Sequence, residues 1–229
     1  MAPQPLTQAD LSASGYVAEP HEGEEVARRL SLAILRPLGS GSAGSAHLLE
    51  DGRVLKTTSS ESEAVRAALL MGAQVGGAAC PGFPRIDRVV RMSSGLEIDG
   101  VLYATETYAI VREEAADLTS AWRGGNDLPY WMLALSLLGE ARLAGAADVP
   151  DLGPARHCAP HVVEVFDAIA WAAGTLGFAI DDVRTSNFGL AGGRVVVRDF
   201  GGDNIVDDFP GVLESLERIP DRPAPSPRC

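Results

Sequence analysis

The sequence predicts an α+β protein in two parts, a β-rich stretch followed by an α-rich one. Three observations carry this. Short apolar runs bounded by Gly, Asp and Pro fill residues 33–111, at strand rather than helix length. Two long apolar patterns with helical spacing occupy residues 128–145 and 161–176. No internal repeat suggests an array. The change of character falls near residues 113–118. The expected organisation is an arm and short helix (1–32), a β-rich part (33–115), a helical part (116–219) and a proline-rich tail (220–229) whose composition predicts disorder.

Residues 24–32 have helical spacing, with Val26, Leu30 and Leu32 able to share a face. An apolar strand follows at 33–38. Two more strands, 45–49 and 53–57, are joined by the tight turn Glu50-Asp51-Gly52. Ser59, Ser60 and Ser62 offer N-caps for a helix over about 61–71, with Glu63 in its first turn. The Gly/Pro-rich GGAACPGFP ends that element. Strands at 86–92 and 101–111 are separated by the turn-like SSGLEIDG. In the second half, Val162, Val165, Phe166, Ile169 and Ala173 line one face of the helix at 161–176, and Gly177 is placed to stop it. A polar loop, DDVRTSN, precedes a turn at Gly192-Gly193 and a β-branched strand at 194–198. Residues 209–218 have room for one short helix.

The net charge of −12 argues against nucleic acid or an anionic membrane as the main partner, since both need a basic face. A nucleotide needs only a local positive pocket. Three scattered cysteines do not make a disulfide framework, which predicts a reducing, cytoplasmic setting. MAPQPLTQAD has no basic stretch leading into an apolar run, so no signal peptide is expected. The longest clean apolar run, 130–138, is about half of a membrane span. His157, Cys158 and His161 have metal-compatible spacing, but Pro160 interrupts them and no further ligand is near.

Positive charge is written as eighteen arginines and a single lysine, Lys56. Lysine is a compact point charge, where arginine is a planar fork with fixed donor directions. Lys56 follows the first glycine of a G-x-G-x-x-G loop, Gly39-Ser40-Gly41-Ser42-Ala43-Gly44, by seventeen residues. A dinucleotide fingerprint needs a helix starting at the last glycine, yet Asp51-Gly52 leaves room only for a strand and a turn. A P-loop needs lysine directly after the last glycine, where Ser45 sits. A glycine-rich flap between two antiparallel strands remains, as does a flexible Gly/Ser hairpin holding no ligand.

Asp182-Val183-Arg184-Thr185-Ser186-Asn187 is a D-x-x-x-x-N run, and twelve residues after Asn187 comes Asp199-Phe200-Gly201. Flap, third-strand lysine, D-x-x-x-x-N and D-F-G, in that order over residues 33–205, resemble the protein-kinase-like superfamily. The resemblance implies a bilobal fold with a β-rich N-lobe, a shortened α-helical C-lobe and Mg-ATP in the cleft. It implies that Gly39, Gly41 and Gly44 close main-chain amides over the ATP phosphates. Lys56 would hold the α- and β-phosphates, oriented by Glu63, with Glu61 as runner-up. Main-chain groups of Glu113 to Ala115 would meet adenine, and Asp117 the ribose. Asp182 would orient the acceptor hydroxyl and take its proton, Arg184 would offset charge on the transferred phosphoryl, and Asn187 and Asp199 would bind Mg2+.

The sequence departs from that pattern. The usual His and Arg before the catalytic aspartate are Ile180 and Asp181, which removes the usual link to a phosphorylated activation loop. Only twenty-eight residues follow Gly201, and no A-P-E signature is among them. The expected function is transfer of the ATP γ-phosphoryl to a hydroxyl, foremost a protein Ser/Thr. The alternatives are a small-molecule phosphotransferase and a nucleotide-binding pseudokinase acting as an interaction module.

Overall fold

The computed structural model describes residues 20–41, 44–80, 82–98, 101–117, 159–178, 180, 187–200 and 210–219. The expected arm before residue 20, helix at 128–145, loop at 181–186 and tail from 220 lie outside the described residues. Two compact units are present. One holds the described parts of Met1–Ala68, Ile86–Arg112 and Asp208–Cys229, the other those of Leu69–Arg85 and Glu113–Asp207. The chain therefore crosses between units at 68, 85, 112 and 207, where the sequence suggested one crossing near 113–118.

In the first unit, helix α1 (Pro20–Arg29) begins four residues before the expected start. It ends in a Schellman arrangement: Leu32 N–H donates to Ala27 O (2.8 Å) and Ser31 N–H to Arg28 O (3.2 Å). Ser31 supplies the left-handed residue (φ 55°), a position that usually selects glycine. Strands β1 (Ile34–Gly41), β2 (Gly44–Leu49) and β3 (Arg53–Thr58) form an antiparallel meander. Gly52, at φ 82°, makes the turn between β2 and β3. Helix α2 (Glu61–Val75) follows and runs past the expected end.

Strands β4 (Ile86–Ile98) and β5 (Val101–Glu113) form a long antiparallel hairpin. The expected eight-residue turn is thus mostly strand: Ile98 pairs with Val101, leaving Asp99-Gly100 between them. Asp-Gly is the usual two-residue hairpin signal. A short strand β9 (Glu217–Ile219), preceded by helix α4 (Pro210–Ser215), adds in parallel to β4. The mixed six-stranded sheet has the order β1-β2-β3-β5-β4-β9. Val26 and Ala27 of α1, with Leu30 just beyond its end, cover one face over Leu49, Leu55, Val90, Met92, Ala109 and Val111, and Ile219 packs against the same cluster.

In the second unit, β6 (Ala116–Asp117), β7 (Phe188–Ala191) and β8 (Arg194–Val197) form a small antiparallel sheet. Gly192 and Gly193 both have positive φ (55° and 80°), as a type I′ turn demands. Helix α3 (Ala159–Trp171) loosens into a π-turn over Ala172–Leu176, and Gly177 (φ 74°) ends it where the sequence suggested. Gly82 is wedged between α3 and β8. Its carbonyl accepts Val197 N–H (2.8 Å), and an added Cβ would lie 2.4 Å from Ala168. No helix among the described residues is long and apolar enough to cross a membrane.

Candidate functional site

The three glycines of the hairpin do different work. Pairing of Gly39 with Ala46, Ser40 with Ser45 and Gly41 with Gly44 carries the β1–β2 ladder up to Ser42-Ala43, which lie outside the described residues. A Cβ on Gly44 would stand 1.8 Å from the Thr57 carbonyl oxygen, so this glycine is required by the fold. Gly39 and Gly41 face open space, with nothing within 4 Å of a Cβ. They lie two apart on one strand and so share a face.

Lys56 belongs to the same row. Gly39 is the register partner of Ala46, and Ala46 is the partner of Lys56. Cross-strand partners project to one face of a sheet, so the open side of Gly39 and the Lys56 side chain share it. The two lie two strand spacings apart, about 9.5 Å.

The Lys56 Nζ forms an ion pair with Glu63 Oε1. The Glu63 side chain is only 3% exposed, whereas that of Lys56 retains 18% exposure. The carboxylate is thus fixed from within while the ammonium keeps a path to solvent. Local chain geometry aims Glu63. Ser60 caps α2, accepting Glu63 N–H on its Oγ (3.3 Å), while its carbonyl accepts Ala64 N–H (3.1 Å). Glu61, the runner-up, is exposed and acts instead on Tyr108 and Arg91. Burial first, then the negative charges of Glu61 and Glu106, push the Tyr108 hydroxyl above its ordinary range. Beside the hairpin, His47 lies buried with Nε2 2.9 Å from Ser45 Oγ, which in turn meets Thr57 Oγ1 at 2.9 Å. Loss of hydration lowers the His47 pKa, partly opposed by Glu24.

In the second unit the hairpin of β7 and β8 brings Asn187 and Asp199 together. The N–H groups of Arg198 (2.7 Å) and Asp199 (3.3 Å) both donate to the Asn187 carbonyl. Phe200, the residue after Asp199, is fully buried and meets Phe83 edge to face, 6.5 Å between centroids. An amide and a carboxylate at one hairpin end are hard oxygen donors and fit Mg2+, which commonly takes one or two protein ligands and completes its shell with phosphates and water. Among the described residues no group of three or more His, Cys, Asp or Glu could hold a metal unaided.

At the proposed adenine contact, Glu113 is committed elsewhere. Its N–H donates to Arg85 O (2.8 Å), and its carboxylate accepts from Arg85 N–H (3.1 Å) and Arg194 (2.9 Å). Ala115 is buried with Ala191 and Val196. Asp117 meets Arg198 at 3.5 Å. Asp182 and Arg184 lie outside the described residues. No motif in the sequence singles out Phe83, which packs on Phe200, or Arg198, which pairs with Asp117. An aromatic between Gly82 and Pro84, in a segment otherwise of turn residues, was the available signal for the first.

No protein-family model and no curated protein matches the chain. Among solved structures it is similar to APH(2")-IIa in a ternary complex with streptomycin and ATP, at 11% identity and a TM-score of 0.30, covering 81% of this chain and 71% of that one. It is also similar to the ADP-bound aminoglycoside phosphotransferase APH(2'')-Ib, at 11% identity and a TM-score of 0.29, covering 80% of this chain and 70% of that one. A superposition of that extent assigns no function to this chain.

Proposed function

We propose that this chain is a protein-kinase-like phosphotransferase that moves the γ-phosphoryl of Mg-ATP to a hydroxyl of a small molecule. The observation that carries the reading is the Lys56–Glu63 pair: the only lysine of the sequence, on the third strand, oriented by a buried carboxylate from the next helix. Its row ends at Gly39, whose open side leaves space for a phosphate to approach the main chain. Phosphoryl transfer needs positioning and neutralisation of spreading charge more than covalent help.

In this reading Lys56 neutralises the α- and β-phosphates, and Asn187 and Asp199 hold Mg2+, which supplies charge neutralisation at the phosphates. Asp182 orients the acceptor hydroxyl and accepts its proton, and Arg184 offsets charge on the phosphoryl group in flight. With the Glu113 amide engaged, the adenine edge falls to main-chain groups nearer Ala115, and Asp117 reaches the ribose. A small-molecule acceptor is favoured over a protein Ser/Thr by Asp181, which stands in place of the arginine that links the protein-kinase catalytic loop to a phosphorylated activation loop.

Thermal stabilisation by Mg-ATP, absent in Lys56→Met and Asp199→Asn, tests the site. An acyl-phosphate derivative of ATP, which acylates amines near bound phosphates, should label the single lysine and be blocked by excess ATP. No stabilisation at millimolar Mg-ATP refutes the reading. With γ-labelled ATP and a cell extract, label should appear in the small-molecule fraction. Label confined to protein overturns the choice of acceptor. Asp182→Asn should abolish transfer and leave ATP binding nearly intact.

A further inference from the structure

We infer that Thr58 is a positioning residue that frees Glu63 to hold Lys56. Ser60-Glu61-Ser62-Glu63 has the S-x-x-E pattern of a capping box, in which two hydrogen bonds are reciprocal. The cap hydroxyl accepts the N–H of the third helical residue, and that residue's carboxylate turns back to accept the N–H of the cap. Here the first bond is made, from Glu63 N–H to Ser60 Oγ (3.3 Å). The second is not made by Glu63. Ser60 N–H donates instead to Thr58 Oγ1 (3.1 Å), from a side chain buried at the end of β3. The Glu63 carboxylate, relieved of that duty, pairs with Lys56.

Ser60 and Thr58 are both buried, so an N–H left without an acceptor there is costly, and the nearest alternative acceptor by helix geometry is the Glu63 carboxylate. Removing the Thr58 hydroxyl sets the cap and Lys56 in competition for one carboxylate. Thr58 thus acts on the ammonium through Glu63, two hydrogen bonds away. The inference deepens the proposed phosphate site and rests on that reading for its catalytic consequence.

Because the chain has one lysine, protein labelled with 13C,15N-lysine gives a single side-chain Nζ and Cε signal, which reads the pair without any nucleotide. Glu63→Gln defines the shift of that signal when the ion pair is lost. Thr58→Val should move it a substantial part of that way, and Thr58→Ser, which restores the acceptor, should return it to the wild-type position. In the Glu63→Gln background, Thr58→Val should add no further shift. If Thr58→Val fails to fold, Thr58→Ala serves the same comparison. An unmoved lysine signal in a folded variant lacking the hydroxyl overturns the inference, even where stability has fallen. For transfer, Thr58→Val should lower kcat/KM for ATP about tenfold, the size of one lost hydrogen bond, with Thr58→Ser restoring it. Absence of nucleotide binding in the wild type would refute the proposed function while leaving the lysine signals to decide the role of Thr58.

Discussion

Alanine at each glycine of the hairpin separates what the fold requires from what a ligand requires. At Gly44 the new methyl carbon would lie 1.8 Å from the Thr57 carbonyl oxygen and 2.9 Å from the Thr58 Cα. Those atoms belong to β3, which is paired on both sides, so the clash is relieved only by parting β2 from β3 at that end. Forcing a methyl into packed backbone costs about 3 kcal/mol. At roughly 2–4 °C per kcal/mol for a chain of this size, Tm should fall by about 6–12 °C. Gly39→Ala and Gly41→Ala meet nothing within 4 Å and should stay within about 1–2 °C of wild type. Ligand response should invert the order. Saturating wild type at a hundred times Kd adds about 2.7 kcal/mol, or roughly 5–11 °C. Gly39→Ala and Gly41→Ala should lose much of that gain, because the methyls occupy the side on which phosphate would meet the amides. The assay is differential scanning fluorimetry of all three variants with and without Mg-ATP. An unchanged Tm in Gly44→Ala refutes the register drawn for β2 and β3. A full Mg-ATP shift in both Gly39→Ala and Gly41→Ala refutes the phosphate flap.

Other expectations follow from the same contacts. Lys56→Met leaves the Glu63 carboxylate buried without its ion partner and should cost about 3–5 kcal/mol, much of it recovered in Lys56→Met/Glu63→Leu, by denaturant unfolding. Ser31→Gly relieves a left-handed residue at the end of α1 and should stabilise by about 0.5–1 kcal/mol, read as a Tm rise of roughly 1–4 °C. His47 has a folded pKa below its unfolded value, so the unfolded chain binds the extra proton first. Its contribution is fully present above the unfolded pKa, about 6.5, and is lost as pH falls below it. Unfolding midpoints between pH 7.5 and 5 should therefore decline less steeply in His47→Gln. Phe200→Ala removes the edge-to-face partner of Phe83 and should cost about 3–5 kcal/mol by denaturant unfolding.

What could be read in advance depended on how local its cause was. The strands 45–49 and 53–57 and the stop at Gly177 follow from alternation, a turn dipeptide and one glycine, all local. Strand β9 was not legible, since Glu-Arg-Ile has no pattern of its own. It is strand because β4 offers an open edge, Arg88 clasps Glu217 at 2.6 Å, and Ile219 finds the core beneath. The end of α1 was misplaced because serine took a position usually given to glycine. At the candidate site, S-x-x-E is visible in the sequence but points the wrong way. Read alone it turns Glu63 back to Ser60, and only Thr58 redirects it toward Lys56.

Strand β9 has a consequence for how the chain is made. Val90 pairs with Glu217, partners separated by 127 residues, and among the described residues no earlier segment pairs with that side of the sheet. At 5–20 residues per second, β4 waits roughly 6–25 s on the ribosome before its neighbour exists. Throughout that time the Val90–Met92 stretch of β4 lacks the neighbour it later pairs with. The nascent chain is then most prone to pair with the wrong strand, its own or another's, and closing the edge becomes a late step in folding.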